Sequence, residues 1–291
     1  ATFYGRRFRC HGAHGTVDLP RALQVSCDVW FYNAGRRLGV DALAEAARTF
    51  GFGRPTGVDL ASEKAGNVPS TAWSQSVRKH PWYPGETISV AIGQGPLLVS
   101  ALQTARAFSA LANEDGALPV PHLFRIGEHV RSGARVAYRP PVTERVPFPP
   151  GVRETIVEGL WRVVNQPGGT AYRYRAEGLD ACGKTGTVQV VAQKQAKMTH
   201  QLPEKLRDHA WFAAFAPRED ARIVVVVFVE NGMHGSSAAA PLAMRLIEAH
   251  LRPGSVPIPE PPAAPLPEAT PPGGTTTAER GATPPATRTG A

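Results

Sequence analysis

Two short stretches of this 291-residue chain carry side chains suited to acid–base work beside a carboxylate. Ser26-Cys27-Asp28 lies near the start, and Lys184-Thr185-Gly186-Thr187 lies far downstream, running into Val188-Gln189-Val190-Val191. A serine hydroxyl both donates and accepts, so Ser26 can relay a proton between a lysine base and a leaving amine. Asp28 can hold a lysine by charge-assisted hydrogen bonding. Thr185 and Thr187 offer hydroxyls to a terminal carboxylate, Lys184 supplies positive charge behind it, and Gly186 removes bulk where a ligand backbone approaches. A strand starting with these residues can pair edge-on with an extended peptide. Each stretch also has a plainer reading: Ser26 and Asp28 as a helix cap, and Lys184 as a surface lysine on an amphipathic strand.

Two further matches do not survive their context. Gly178-Leu179-Asp180-Ala181-Cys182-Gly183-Lys184-Thr185 fits the phosphate-loop pattern G-x-x-x-x-G-K-[ST]. Such a loop must open a helix at once, yet Gly186 and the β-branched residues after it favour a strand. Ser76-Val77-Arg78-Lys79 fits S-x-x-K, which needs serine and lysine one helical turn apart so that the amine can deprotonate the hydroxyl. His80-Pro81 and Pro84 follow and disfavour helix there.

The elements that must position the two stretches are mixed α and β. Asp18 can cap a helix with Pro20 in its first turn that runs to about Val25. Val29 to Leu38 continues helically, and Asp41 caps a further helix through Thr49 that Gly51 ends. Leu98–Asn113, Val152–Asn165 and Leu242–Leu251 show helical spacing of apolar residues. Val188–Val191, Ala210–Phe215 and Ile223–Val229 read as strands. Helices early and strands late predict an α+β layout, an antiparallel sheet with helices packed against it. From about Pro253 to Ala291 the chain is built of Pro, Ala, Thr and Gly and is expected to be a disordered tail. The domain therefore spans 1–252.

An apolar content of 42% is ample for a core. The net charge of +8 suits an anionic partner such as cell-wall peptide or acidic lipid, but no Lys/Arg run is dense enough for a nucleic-acid arm. No stretch approaches the roughly 20 apolar residues that span a bilayer. The N-terminus has no initiator Met and no apolar signal core, so any export or anchoring signal is expected outside this chain. Three cysteines are too few for a disulfide framework.

The two motifs resemble the second and third motifs of penicillin-recognising serine acyltransferases, whose first motif is S-x-x-K. The likeness extends along the chain. His14-Gly15-Thr16-Val17-Asp18, Ser26-Cys27-Asp28-Val29-Trp30-Phe31-Tyr32, Pro55-Thr56-Gly57-Val58-Asp59-Leu60, Trp82-Tyr83-Pro84-Gly85-Glu86-Thr87, Ile92-Gly93-Gln94-Gly95, Cys182-Gly183-Lys184-Thr185-Gly186-Thr187 and His209-Ala210-Trp211-Phe212-Ala213-Ala214-Phe215-Ala216-Pro217 resemble the penicillin-binding protein 2 family, in the family's order. Asp28, where many relatives have Asn, fits that elongation-type class B subgroup.

The resemblance implies the penicillin-binding, serine β-lactamase-like fold and a peptidoglycan D,D-transpeptidase that cross-links stem peptides and is acylated by β-lactams, with no cofactor needed for catalysis. It implies Ser26 as proton relay with Asp28 in support, Lys184 and Thr185 as orienters of the substrate carboxylate, and Thr187 N–H as half of an oxyanion hole. It further implies a periplasmic place on the bacterial inner membrane, a partner glycosyltransferase of the elongation machinery, and a membrane anchor and pedestal domain outside this chain. The nucleophilic serine should precede Ser26, where residues 1–25 contain no serine. The expectation is a transpeptidase domain lacking its S-x-x-K segment and inactive alone; the alternative is a non-catalytic remnant that binds wall peptide or partners.

Some family members bind zinc beside the second motif. Cys27 and His14 match two ligand positions, Cys10 is a chemically apt third, and Phe8 stands where an acidic ligand is usual. A Cys10–Cys27 disulfide or an unpaired buried thiol remains open. Cys182 reads as packing.

Overall fold

The computed structural model describes residues 1–124, 126–137, 142, 144–190 and 202–255, so the expected tail lies, from residue 256 on, outside the described residues. Its centre is an antiparallel sheet of β7 (Cys182–Val188), β8 (His209–Ala216) and β9 (Ile223–Val229), in that spatial order. The register sets Lys184 opposite Ala213, Thr185 opposite Phe212 and Gly186 opposite Trp211. Side chains alternate between faces along a strand. Ala210, Phe212 and Ala214 accordingly pack with Ala243, Met244 and Ile247 of α7 (Ala240–Leu251). Cys182 and Phe215, on the opposite face, meet Leu111 of α5 (Ala101–Ala112) with Val157 and Leu160 of α6 (Val152–Asn165). This is the α+β layout that the sequence predicts.

The first helices are built largely as read. α1 (Leu19–Gln24) is capped by Asp18, whose carboxylate accepts the Arg21 N–H at 2.8 Å. The two helices expected next are one element, α2 (Asp28–Thr49), interrupted at Gly39 with φ 79° and ψ 164°. The break needs a conformation that glycine adopts freely, so Gly39 and not Asp41 divides it. Asp41 instead accepts the N–H and the hydroxyl of Thr71, at 2.9 and 2.8 Å, where α3 (Thr71–Trp73) starts. α5 is shorter than expected because Ser100 and Gln103 form a capping box at its start. α6 has the bounds predicted, and α7 begins two residues early.

The strand expected at 188–191 is displaced upstream: β7 ends at Val188, and Val191 lies outside the described residues. Gly183 and Gly186 dilute its apolar signal, but tertiary pairing with β8 decides. Gly235, opening the π-turn Gly235–Ala239, is required by crowding: a Cβ there would stand 2.4 Å from the Gly186 carbonyl oxygen. Three two-stranded ribbons carry no clear sequence signal. They are β1 (Thr2–Phe3) with β2 (Arg6–Arg7), β3 (Ala117–Leu118) with β6 (Glu144–Arg145), and β4 (Ile126–Glu128) with β5 (Arg135–Ala137).

The first ribbon anchors the N-terminal segment. Phe3 and Phe8 pack edge-on and tilted against Tyr32 of α2, with Ile88 of α4 (Pro84–Val90) behind them. Among the described residues no helix is long and apolar enough to cross a membrane.

Candidate active site

Ser26 sits in the three-residue elbow between α1 and α2, at φ 52°. A non-glycine residue in the left-handed region is strained and persists only when its surroundings impose it. Here the Ser26 N–H donates to the Leu23 carbonyl and the Cys27 N–H to the Ala22 carbonyl, closing the elbow. The turn aims the Ser26 hydroxyl out of the helical layer toward the sheet.

The Lys184 ammonium meets it there, donating to Ser26 Oγ at 3.0 Å and to the Thr185 carbonyl at 2.8 Å. The two motifs therefore converge on one groove, as the sequence reading requires. Burial pushes the Lys184 pKa down to about 8, opposed by the carboxylate of Asp28. Burial likewise raises the Asp28 carboxyl, against the pull of His11, Lys184 and His14. His11 Nε2 lies 3.9 Å from Asp28 Oδ2. Lys184 and Asp28 thus lie within electrostatic reach of each other, and burial moves each toward its neutral form.

The sheet side of the groove is the free edge of β7, which pairs only with β8 among the described strands. The Thr185 hydroxyl lies 2.8 Å from that of Thr170, in the loop after α6. Thr170 N–H donates to the Gln24 carbonyl at 3.3 Å, and the buried Gln24 amide donates to the Pro167 carbonyl at 3.0 Å. One run of contacts therefore ties the helix before Ser26 to the strand that carries Lys184. On the other flank, the Gln94 side-chain amide donates to the Thr187 carbonyl at 2.7 Å. Sequence reasoning gave Gln24, Thr170 and Gln94 no role. The Gly168-Gly169-Thr170 loop and the glycines beside Gln94 were the available signals.

The metal candidates also meet. Ligand atoms of Cys10, His14 and Cys27 all lie within 4.8 Å of one another, and Cys10 Sγ is 3.5 Å from His14 Nδ1. Cys27 is the N-cap of α2 and is buried. Burial pushes its thiol pKa up, and the neighbouring Cys10 adds to this. All three cysteines are unbridged. Cys182 is fully buried in the apolar core between the sheet and α5 and α6.

The two decoys fail on geometry. Lys184 and Thr185 lie within β7, with no helix opening after them, so the stretch from Gly178 cannot present a helix N-terminus to a phosphate. Ser76 belongs to a π-turn, Ser74–Arg78, and Lys79 turns left-handed at φ 62°, which breaks the helical turn an S-x-x-K pair needs.

The chain is similar to known proteins over most of its length. The family described as penicillin binding protein transpeptidase domain matches residues 4–248. The peptidoglycan D,D-transpeptidase MrdA of Haemophilus influenzae is 37% identical over 243 residues, 82% of this chain and 37% of that protein. Pseudomonas aeruginosa PBP2 in complex with WCK 5153 superposes with a TM-score of 0.71 at 32% identity, over 86% of this chain and 51% of that one. Helicobacter pylori PBP2, in its complex with MreC, gives 0.72 at 28% identity, over 86% and 44%. The chain thus spans little more than a third of the length of the curated relatives it matches.

Proposed function

The chain belongs to the penicillin-binding protein transpeptidase family, of the penicillin-binding protein 2 type, and on that premise we propose that it supplies the stem-peptide groove and proton relay of a peptidoglycan D,D-transpeptidase. The observation that carries the proposal is the 3.0 Å hydrogen bond between Lys184 and Ser26, from motifs 158 residues apart. A donor peptide ending in D-Ala-D-Ala lies along the free edge of β7 as an added strand. Its carboxylate meets the hydroxyls of Thr185 and Thr187, with the Lys184 charge behind them and Gly186 leaving room. The Thr187 N–H points at the oxygen of the scissile carbonyl, where negative charge develops.

In the acyl transfer this supports, a serine oxygen attacks the penultimate D-Ala carbonyl. The C–N bond breaks, and the departing amine takes a proton through the Ser26 hydroxyl. An acceptor amine then attacks the ester and frees the serine. A β-lactam, mimicking the terminal dipeptide, follows the first half only. Residues 1–25 hold no serine, so the 291 residues contribute relay and cradle without an acylated hydroxyl ahead of Ser26.

The donor set of Cys10, His14 and Cys27 fits a structural zinc ion: two sulfurs and an imidazole, close enough to converge with small side-chain movements. Bound there, the ion would supply cross-linking. These three residues would fasten the N-terminal segment to the cap of α2 and so stiffen the elbow that holds Ser26 and Asp28. We place the whole enzyme at the periplasmic face of the bacterial inner membrane, beside a glycosyltransferase of the elongation machinery.

Calorimetric titration with Nα,Nε-diacetyl-L-Lys-D-Ala-D-Ala tests the groove. Binding that the L-Ala-L-Ala isomer does not reproduce, and that Lys184→Ala weakens about ten- to hundredfold, is expected; equal binding of both isomers overturns the reading. Fluorescent penicillin is expected to leave the chain unlabelled, and a stable adduct would show an acylated nucleophile within these residues.

A further inference from the structure

The edge of β7 assigned to the donor peptide is already partly taken. Gln94 Nε2 donates to the Thr187 carbonyl at 2.7 Å, and Gln94 Oε1 accepts the Gln189 N–H in a longer contact of 3.4 Å. A carboxamide has the donor and acceptor of a peptide unit. In meeting the C=O of one residue and the N–H of the next but one, it reproduces what a neighbouring strand would present. Edge strands left open invite unwanted pairing, and a side chain laid along one blunts it.

Gln94 is built for this place. Gly93 and Gly95, both at φ 77°, flank it in a tight turn closed by the Gln94 N–H on the Ser89 carbonyl at 3.0 Å. Ile88 and Ile92, just before it, pack into the cluster with Phe3 and Tyr32 of α2. The backbone of Gln94 is thereby held by the helical layer, while its side chain reaches across to the sheet.

This location has a consequence for the groove reading, on which the inference rests. In an extended strand the N–H and C=O of one residue point to the same side, so Thr187 presents both to the groove. A donor residue whose scissile carbonyl accepts the Thr187 N–H forms a hydrogen-bonded antiparallel pair, in which its own N–H must reach the Thr187 carbonyl. The Gln94 amide occupies that position. We infer that Gln94 is a place-holder for the penultimate residue of the donor peptide, a side-chain latch that closes the substrate edge when it is empty and must be displaced when the peptide docks.

The test compares two ligands on the 291-residue chain: Nα,Nε-diacetyl-L-Lys-D-Ala-D-Ala, and its analogue in which an ester oxygen replaces the penultimate residue's N–H. Gln94→Ala is expected to bind the amide peptide about three- to tenfold more tightly, the worth of one net hydrogen bond no longer competed for. The ester analogue, which cannot donate to Thr187 but must expel the same side chain, is expected to gain a similar factor while binding more weakly than the amide to both forms. Hydrogen exchange at the Gln189 amide should quicken in the same variant. Gln94→Met, of similar length but without a donor, gives the same result if alanine unsettles the fold. Weaker binding of the amide peptide by both variants overturns the latch and makes Gln94 a support of the strand. Failure of the wild-type chain to bind either ligand overturns the groove reading and the inference with it, whereas wild-type binding without a gain in the variants overturns the latch alone.

Discussion

The hydroxyls of Thr170 and Thr185 lie 2.8 Å apart, joining the loop after α6 to β7. Each hydroxyl has one proton. If Thr170 donates to Thr185, the proton of Thr185 is left free for the carboxylate of the ligand. Thr170→Val removes that donor and lets the Thr185 hydroxyl turn away from the groove. Affinity for Nα,Nε-diacetyl-L-Lys-D-Ala-D-Ala should fall about three- to tenfold, with thermal stability little altered. Thr170→Ser should restore it. Unchanged affinity in the valine variant would leave Thr170 as loop packing only.

Ligand binding should report the charge of Lys184. Its ammonium is present below a pKa of about 8 and lost above it. Affinity for the carboxylate-ended peptide should therefore decline as pH rises through that value and level off beyond it. Lys184→Ala should lose about 1.5–3 kcal/mol of binding, the scale of a hydrogen bond to a charged group, and should flatten the profile. A wild-type affinity constant from pH 7 to 9.5 would contradict the assignment of Lys184 to the carboxylate.

The same lysine burdens the fold. Its pKa falls from an ordinary 10.5 to about 8 on folding, so between those values the unfolded chain holds a proton that the folded chain has released. Stability from this group rises with pH across that window, and its destabilising effect is complete below pH 8. Lys184→Met should be more stable than wild type at pH 7 by about 1 kcal/mol, a buried charge having been replaced by an apolar chain of similar size. The difference should shrink toward pH 10 in urea denaturation. A functional residue held at a cost to stability is what the proposed cradle demands.

Zinc can be read directly. Elemental analysis of the purified chain should find about one zinc per molecule, and chelation should lower the melting temperature. Cys27→Ser should lose the metal and weaken peptide binding by loosening the elbow at Ser26. Metal-free protein with an unchanged melting temperature after added zinc would dismiss the site.

Much of the scaffold was legible beforehand because its signals are local. Asp18 with Pro20 marks a helix start, the apolar spacing over Val152–Asn165 marks α6, and Ile223–Val229 is a β-branched run. The misplacements have long-range causes. Asp41 looks like a cap, but its carboxylate is spent on Thr71, thirty residues away. The strand through Lys184 begins earlier than its composition suggests, because pairing with β8 overrides two glycines.

Amino-acid order alone determined which chemical groups this protein has and in what local frames: a serine and an aspartate beside a helix start, a lysine leading into a strand, two cysteines and a histidine within the first 27 residues. Tertiary structure decided which of them face one another. Lys184 reaches Ser26, Thr170 reaches Thr185 and Gln94 reaches Thr187 across contacts that no periodicity encodes. Local patterns record how a segment meets its own neighbours, whereas the groove forms only when the helical layer and the sheet bury their apolar faces together and fix the distance between them.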